Sequence, residues 1–299
     1  MPRERDTCEE HPPNPLLRRD SGQDHRNIHP LEVNRSITVT ARSQPVPAGP
    51  VPEPECPPGW QTGPPDFVGI GAHRSGTTWL YQMVVAHPDV AVPPGRPKET
   101  HFFQSFWEGG FTAADAARYH RYFPRPEGKL VGEWTPRYMF DTWTPRMLAA
   151  AAPDARLLVL LRDPVARYMS HLGTHLGKGP ERAARGPAVA SIAFARGLYT
   201  AQLRAVLTHF PRERLLLQQF ERCMREPAAQ LRRTYEFLGL DPSFVPGGQT
   251  QRVNPGGAID LDEEMLADVG RALAPDAAEL ARTFPEIDLS LWPGVDSKI

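Results

Sequence analysis

The chain has 299 residues, of which 40% are hydrophobic, and its formal net charge at pH 7 is −1. This length and apolar content are sufficient for one large α/β domain or two small ones. The near-neutral charge excludes the broad basic field that recruits nucleic acid or an anionic membrane surface. Any anion site must therefore be built from a few placed residues.

The chain carries three cysteines, Cys8, Cys56 and Cys223, which are too few and too widely spaced for a disulfide framework or a zinc pattern. The N-terminus lacks the apolar core of a signal peptide, and no apolar run has the length of a membrane span. We therefore expect a cytoplasmic protein whose partners do not include a membrane. Its oligomeric state is left open by these features.

The first part of the chain differs from the rest in composition. Phe, Trp and Tyr are absent before Trp60, and prolines are crowded between Pro12 and Pro58. Such a stretch cannot bury enough apolar area to offset the entropy lost on ordering. We predict a disordered segment over residues 1–62 and one folded domain over 63–299.

From residue 66 onward, short apolar runs alternate with stretches of helical spacing. The predicted strands are 67–70, 129–134, 157–161 and 215–217. One predicted helix follows the first glycine-rich turn and ends at Pro88. The other predicted helices are 142–152, 164–176, 189–209, 227–238 and 262–274. The run LLVLL at 157–161 suits a central parallel strand that is buried on both faces. This alternation predicts an α/β fold, with a central parallel sheet and helices on both faces.

The turn after the first strand, residues 71–78, has the sequence GAHRSGTT. Backbone N–H groups in such a turn, with a helix N-terminus behind them, form a concave anion site. Gly71 and Gly76 have the spacing of a P-loop, but a threonine follows where a P-loop has lysine, and the fixed cation is Arg74. Hydroxyls that can donate to phosphate oxygens are those of Ser75, Thr77 and Thr78. The turn predicts phosphate binding, and the alternative is a strand–helix turn that merely requires glycine.

A second candidate anion element, LLRDPVARYMS, follows the central strand. Asp163 and Pro164 form a typical N-cap and first-position pair, so a helix is predicted to start there. Arg162 lies at the carboxyl end of the strand, where open α/β sheets place ligands. Ser170 lies on a face of the helix from which it can converge with Arg162 on one phosphate. The alternative is an Arg–Asp pair beside a solvated helix face.

Taken together, these segments resemble the family of sulfotransferases that use 3'-phosphoadenosine 5'-phosphosulfate (PAPS), notably its carbohydrate-modifying branch. Residues 71–80 are similar to the family's 5'-phosphosulfate loop, and 157–172 to its 3'-phosphate element. The segments KETHFF at 98–103 and EWTPRY at 133–138 are similar to the branch's KE-x-HFF and EK-T-P-x-Y segments. The resemblance covers about residues 66–241, and the order and spacing of the segments are more specific than any one of them.

The resemblance implies a P-loop-like sulfotransferase fold with PAPS as the donor. The 5'-phosphosulfate would be held by Arg74, Gly76, Thr77 and Thr78. The 3'-phosphate would be held by Arg162 and Ser170. Arg252, in a late loop where the family usually has a basic residue, would close over the nucleotide, and a surface turn is the alternative for it. Because a sulfuryl group carries less charge than a phosphoryl group, arginine and backbone amides can serve without Mg²⁺, so no metal is expected.

The family's general base corresponds to Glu99, which would accept a proton from the hydroxyl or amine of the acceptor. If residues 98–101 form a strand, His101 shares the face of Glu99 and is a second candidate for the base or for an orienting group. A histidine buried in the core is the alternative. The same assumption argues against an ion pair between Lys98 and Glu99, because adjacent strand residues point to opposite faces.

Two positions depart from the family pattern. The family loop often carries lysine where this chain has Arg74, whose planar fork differs in reach from an ammonium. The lysine that the branch places after its glutamate is Trp134 here. The acceptor would be a small molecule or a carbohydrate, bound among variable loops. The candidates to line its pocket are Trp60, Trp107, Trp134 and Trp143.

Two other functions compete with sulfuryl transfer. A P-loop kinase explains the glycine spacing, but it requires the lysine that Thr77 replaces and an Mg²⁺-binding aspartate. Asp163 follows a strand, yet its position before proline suits a helix cap better. A nucleotide-binding protein without catalysis would lack a base, and Glu99 argues against it.

Overall fold

The structure is a computed structural model and describes residues 51–176, 180–247 and 259–295. Four parallel strands form the centre of this part of the chain. The strands are β1 (Phe67–Gly71), β2 (Gly132–Trp134), β3 (Arg156–Leu161) and β4 (Leu215–Gln219). Their order across the sheet is β2-β1-β3-β4, and every pairing is parallel. The carboxyl ends of β1 and β3 therefore lie side by side at one edge of the sheet.

Helices occupy both faces of this sheet. The helices are α1 (Thr77–Val85), α2 (Ala113–His120), α3 (Thr144–Ala151), α4 (Pro164–His175), α5 (Pro180–Ala195), α6 (Tyr199–Leu207), α7 (Phe220–Arg225), α8 (Pro227–Leu238) and α9 (Glu263–Thr283). Within the described ranges, each of them is too short or too polar to cross a membrane. The predicted fold class, a parallel sheet covered by helices, is confirmed.

The core consists of two layers, because successive side chains of a strand point to opposite faces of the sheet. On one face, Val159 and Leu217 pack with side chains of α3, α6 and α9. On the other face, Leu158 and Leu160 pack with side chains of α1 and α8. All four leucine and valine side chains are at most 1% exposed, as expected for parallel strands covered on both sides.

Three predicted elements differ from the structure. The predicted helix 189–209 is broken at residues 196–198 into α5 and α6, because Asp276 of α9 accepts hydrogen bonds from the first amides of α6. The last helix continues beyond its predicted end at residue 274, through Pro275, since its buried face continues to Leu280. In the predicted strand 129–134, only Gly132–Trp134 pairs with β1.

Residues 51–62 contact the folded domain, although they belong to the segment 1–62 that was predicted to be disordered. The Tyr122 hydroxyl donates a hydrogen bond to the Val51 carbonyl, and Glu53 forms an ion pair of 3.1 Å with Arg121. The backbone of Gln61 pairs with that of residue 125 in an antiparallel bridge. The domain therefore begins before residue 63. Residues 1–50 lie outside the described residues, so their disorder stays a prediction.

Candidate active site

The turn between β1 and α1 is shaped for an anion. Gly76 adopts a left-handed conformation with φ 85°, and a Cβ at this position would overlap the ring of Phe220, so glycine is required. Helix α1 begins at Thr77 with no side-chain cap and no acidic residue in its first turn. The positive end of the helix is therefore directed into the turn without a competing carboxylate.

The second candidate anion element, which runs from the end of β3 into α4, contacts this turn at Arg74. The Arg74 Nε donates a hydrogen bond of 3.2 Å to the Ser170 hydroxyl on α4, and Arg162 donates one of 3.4 Å to the Arg74 carbonyl. Burial lowers the pKa of the Arg74 guanidinium, and the nearby Arg162 lowers it further. A bound anion would relieve this repulsion. The structure thus brings Arg74 together with the residues predicted to hold the 3'-phosphate, while Thr77 and Thr78 lie further along the turn.

Arg162 is held in place by its neighbours. The Tyr199 hydroxyl donates to the Arg162 carbonyl at 2.9 Å, and the guanidinium carbon lies 5.3 Å from the centre of the Phe220 ring. The next residue, Asp163, accepts hydrogen bonds of 2.8 and 3.1 Å from first-turn amides of α4 and one of 2.8 Å from the Gly294 amide. The predicted helix cap is confirmed, and the kinase interpretation of Asp163 loses its support.

The segment that carries Glu99 is not a strand. Lys98 Nζ lies 3.0 Å from Glu99 Oε1, and His101 Nε2 lies 3.3 Å from Glu99 Oε2. The chain turns at His101, whose φ is 53°, and enters a short 3₁₀ helix at Phe102–Phe106. The expectation that Lys98 and Glu99 point apart was therefore wrong, because it assumed strand geometry. His101 does lie on the side of Glu99, but strand alternation, from which this was expected, is not the reason.

His101 has a second contact, with Gln104. Gln104 Nε2 lies 2.8 Å from His101 Nδ1, and because an amide nitrogen only donates, Nδ1 is the acceptor. His101 Nε2 faces the Glu99 carboxylate, so a hydrogen on that nitrogen would orient Glu99.

A buried carboxylate anchors this segment to the end of β2. Glu133 is 0% exposed and accepts hydrogen bonds of 2.6 to 3.3 Å. The donors are the amide and hydroxyl of Thr100 and the hydroxyls of Thr135, Tyr119 and Tyr138. Burial raises the pKa of both tyrosines well above its usual value, so they stay neutral donors. Thr100, between Glu99 and His101, is thereby fixed.

Sequence reasoning assigned no role to Lys98. Its ammonium lies 3.4 Å from the Thr77 hydroxyl oxygen and 3.3 Å from that of Thr78, in addition to its contact with Glu99. It therefore connects the candidate base to the anion turn. Lys98 stands directly before Glu99 in the KETHFF segment, so the sequence did place it near the candidate base. The assumption that the segment is a strand placed its side chain on the face opposite Glu99.

The tryptophans predicted to line an acceptor pocket have different environments. Trp134 is 0% exposed and donates from Nε1 to the Gly71 carbonyl at 3.3 Å, so it is a core residue and its prediction was wrong. Trp143 donates to the Phe103 carbonyl at 3.0 Å, and Trp107 is 64% exposed. Arg252, predicted to close over the nucleotide, lies outside the described residues.

The fold and this arrangement define an α/β protein with a P-loop-like anion turn at the carboxyl edge of a parallel sheet. Residues 64–254 match the sulfotransferase domain family. The chain therefore belongs to that family, and the resemblance of its motifs is confirmed.

Curated relatives support the same assignment. The chain is 32% identical over 192 residues to the mouse (Mus musculus) heparan sulfate glucosamine 3-O-sulfotransferase 3A1, covering 59% of this chain and 46% of the relative. It is 32% identical over 187 residues to the human (Homo sapiens) heparan sulfate glucosamine 3-O-sulfotransferase 6, covering 59% and 52%. The chain thus spans about half the length of these relatives.

A solved structure extends the similarity to the whole fold. The crystal structure of a sulfotransferase from Alicyclobacillus acidocaldarius superposes with a TM-score of 0.61 at 26% identity. The match covers 76% of this chain and 98% of that one. The described residues therefore have the architecture of a sulfotransferase.

Proposed function

We propose that the protein is a sulfotransferase that moves a sulfuryl group from PAPS to a hydroxyl, or an amine, of a carbohydrate or small molecule. The observation that carries the proposal is a series of contacts that runs from Glu99 through the turn to Ser170. Glu99 contacts Lys98, Lys98 contacts the threonine hydroxyls of the turn, and the turn is bonded through Arg74 to Ser170. A base, a phosphosulfate turn and a 3'-phosphate site are thereby neighbours.

The residues present fit this donor. Arg74 and Arg162 place two cations beside one another, and burial together with the charge of Arg162 lowers the pKa of Arg74. Arg162 with Ser170 would hold the 3'-phosphate, and Arg74 would lie at the 5'-phosphosulfate. The uncapped start of α1, with Thr77 and Thr78, would hold the 5'-phosphosulfate. PAPS supplies the activated sulfuryl group when bound.

The chemistry that these residues perform is positioning and charge stabilisation. Glu99 accepts the proton of the acceptor O–H as the oxygen forms its bond to sulfur. The bond between sulfur and the bridging oxygen breaks, and its electron pair stays on the 5'-phosphate of the leaving nucleotide. The amides of the turn and the neighbouring cations stabilise that charge. His101 keeps the carboxylate in orientation through its Nε2 proton.

A carbohydrate hydroxyl is the acceptor that the relatives favour, since their names specify 3-O-sulfation of heparan sulfate glucosamine. The Glu99 side chain is 32% exposed, so a large acceptor can reach it from outside. Trp107, which closely follows the catalytic segment, presents an exposed indole of the kind that packs on the apolar face of a sugar ring.

The function is tested with ³⁵S-labelled PAPS and a panel of heparan-type oligosaccharides, simple sugars, phenols and amines. We expect label on one acceptor class with the wild-type protein, and a rate of labelling lower by about 10²-fold or more with Glu99→Gln. A parallel incubation with γ-labelled ATP and Mg²⁺ tests the kinase alternative. Transfer of phosphate, or failure to bind PAPS at all, would refute the proposal.

A further inference from the structure

Trp134 occupies the position where a lysine was expected, and its side chain cannot approach the donor. The indole packs against β1 so closely that a Cβ on Gly69 would overlap it. The backbone of Trp134 nevertheless has a partner at the site, because its amide donates to the Lys98 carbonyl at 2.9 Å. The lysine beside position 134 in space is therefore Lys98.

The contacts of the Lys98 ammonium are complete and directional. Its three N–H groups have three acceptors: Thr77 Oγ1 at 3.4 Å, Thr78 Oγ1 at 3.3 Å and Glu99 Oε1 at 3.0 Å. The side chain is only 16% exposed, so the charge is weakly screened. Because each threonine oxygen accepts from Lys98, its own O–H hydrogen must be directed elsewhere. Both hydroxyls are thus prepared to donate to an anion in the turn.

A lysine at position 98, rather than an arginine, is unusual for this chain. Only four of its 34 lysines and arginines are lysines, at positions 98, 129, 178 and 298. An ammonium is a compact point charge with three rotatable donors, whereas a guanidinium presents a planar fork. The three convergent acceptors around Lys98 match the ammonium.

We propose that Lys98 is the cation that contacts the sulfuryl end of the donor, and this inference rests on the proposed function above. As the bond from sulfur to the bridging oxygen breaks, the electron pair stays on that oxygen of the 5'-phosphate, and a Lys98 N–H donates a hydrogen bond to a non-bridging oxygen of the transferring sulfuryl group without transferring a proton. Lys98 thereby turns from Glu99 toward the donor. Glu99 is then free to take the acceptor proton.

The experiment is calorimetric titration of the protein with PAPS and with adenosine 3',5'-bisphosphate, which lacks the sulfuryl group. The variants are Lys98→Met, which keeps the apolar stem, and Lys98→Arg, which keeps the charge. The control is Lys129→Met, since Lys129 pairs with Asp89 at 2.7 Å on the surface. We expect Lys98→Met to weaken PAPS binding by about tenfold, the value of one charge-assisted hydrogen bond, with bisphosphate binding nearly unchanged.

Lys98→Arg should lie between the wild type and Lys98→Met, and Lys129→Met should match the wild type. Unchanged PAPS affinity in Lys98→Met, or equal loss for both nucleotides, would overturn the role of Lys98. A wild-type protein that binds neither nucleotide would instead refute the proposed function. Lys98→Gln, which keeps a donor to the threonine oxygens, replaces Lys98→Met if a melting curve shows that the latter does not fold.

Discussion

Arg74 donates a hydrogen bond from Nε to the hydroxyl of Ser170 at 3.2 Å, which joins the turn after β1 to the middle of α4. The two residues are 96 positions apart in the chain. Each belongs to an element that sequence reasoning assigned to phosphate binding, one for each end of the donor. Because the two elements touch here, a nucleotide that carries phosphates at both its 3' and 5' positions can contact both at once.

The first prediction is that adenosine 3',5'-bisphosphate raises the melting temperature of the protein much more than adenosine 5'-monophosphate does. The physical reason is that Arg162 and Ser170 are proposed to hold the 3'-phosphate, which the monophosphate lacks. Arg162→Met should weaken bisphosphate binding by about tenfold or more, the cost of a lost charge-assisted hydrogen bond. The control is Arg204→Met, because Arg204 pairs with Glu279 on the exposed surface. Equal thermal shifts with the two nucleotides would remove the 3'-phosphate assignment.

The second prediction concerns the stability of the protein. In the wild type, hydroxyl and amide donors point at the Glu133 carboxylate. Glu133→Gln places a further donor, an amide NH₂, among them. The free energy of unfolding should fall by about 1–3 kcal/mol, because buried donors lose their acceptor. The measurement is urea denaturation, with Glu127→Gln on the exposed surface as the control. A variant as stable as the wild type would show that the buried carboxylate is not the anchor of the catalytic segment.

The third prediction is a dependence of stability on pH from a group of histidines beside the turn. The His171 ring is stacked on His175 with centroids 4.2 Å apart, and it lies 5.3 Å from His73. Burial, together with the smaller effects of His175, Arg196 and Arg167, lowers the pKa of His171 to about 2. Between that value and the unfolded pKa of about 6.5, the unfolded chain binds a proton that the folded chain does not.

The stabilisation of the neutral ring is therefore present above about pH 6.5 and is lost as the pH falls, by up to about 1.4 kcal/mol per pH unit for each such histidine. His171→Leu should make the free energy of unfolding less sensitive to pH. We expect the difference between pH 7.5 and pH 5.5 to shrink by about 1 kcal/mol in denaturant titrations. Parallel pH curves for the variant and the wild type would show that His171 takes up a proton in the folded protein.

The sheet and the helix cap at Asp163 could be predicted because their signals are local: apolar runs, glycine turns and an aspartate before proline. The start of α6 could not, since its first amides are bonded to Asp276, which is 77 positions away. The geometry around Glu99 was likewise hidden, because a buried network centred on Glu133 holds a non-repetitive segment there. Motif spacing selected the candidate residues, but only tertiary contacts determine that Lys98 and His101 both face the carboxylate.

The last prediction tests which group is the base. Glu99→Gln keeps the shape of the side chain and one acceptor oxygen but cannot take a proton. Turnover should fall by about 10²-fold or more, as expected for the loss of general base catalysis. Binding of adenosine 3',5'-bisphosphate should hardly change, because other residues are proposed to hold both phosphates. The control is Glu108→Gln, an exposed glutamate nine residues further along the chain.

His101→Ala separates the base from the group that orients it. His101 Nδ1 lies 2.8 Å from Gln104 Nε2, and His101 Nε2 lies 3.3 Å from Glu99 Oε2, so we expect the ring to position the carboxylate rather than to take the acceptor proton. The variant should lower kcat less than Glu99→Gln does. His101→Gln, which retains a donor, should recover part of the loss, whereas a base could not be replaced in this way. Near-normal kcat in Glu99→Gln together with no activity in His101→Ala would reverse the two roles, since the histidine would then be the group that takes the proton.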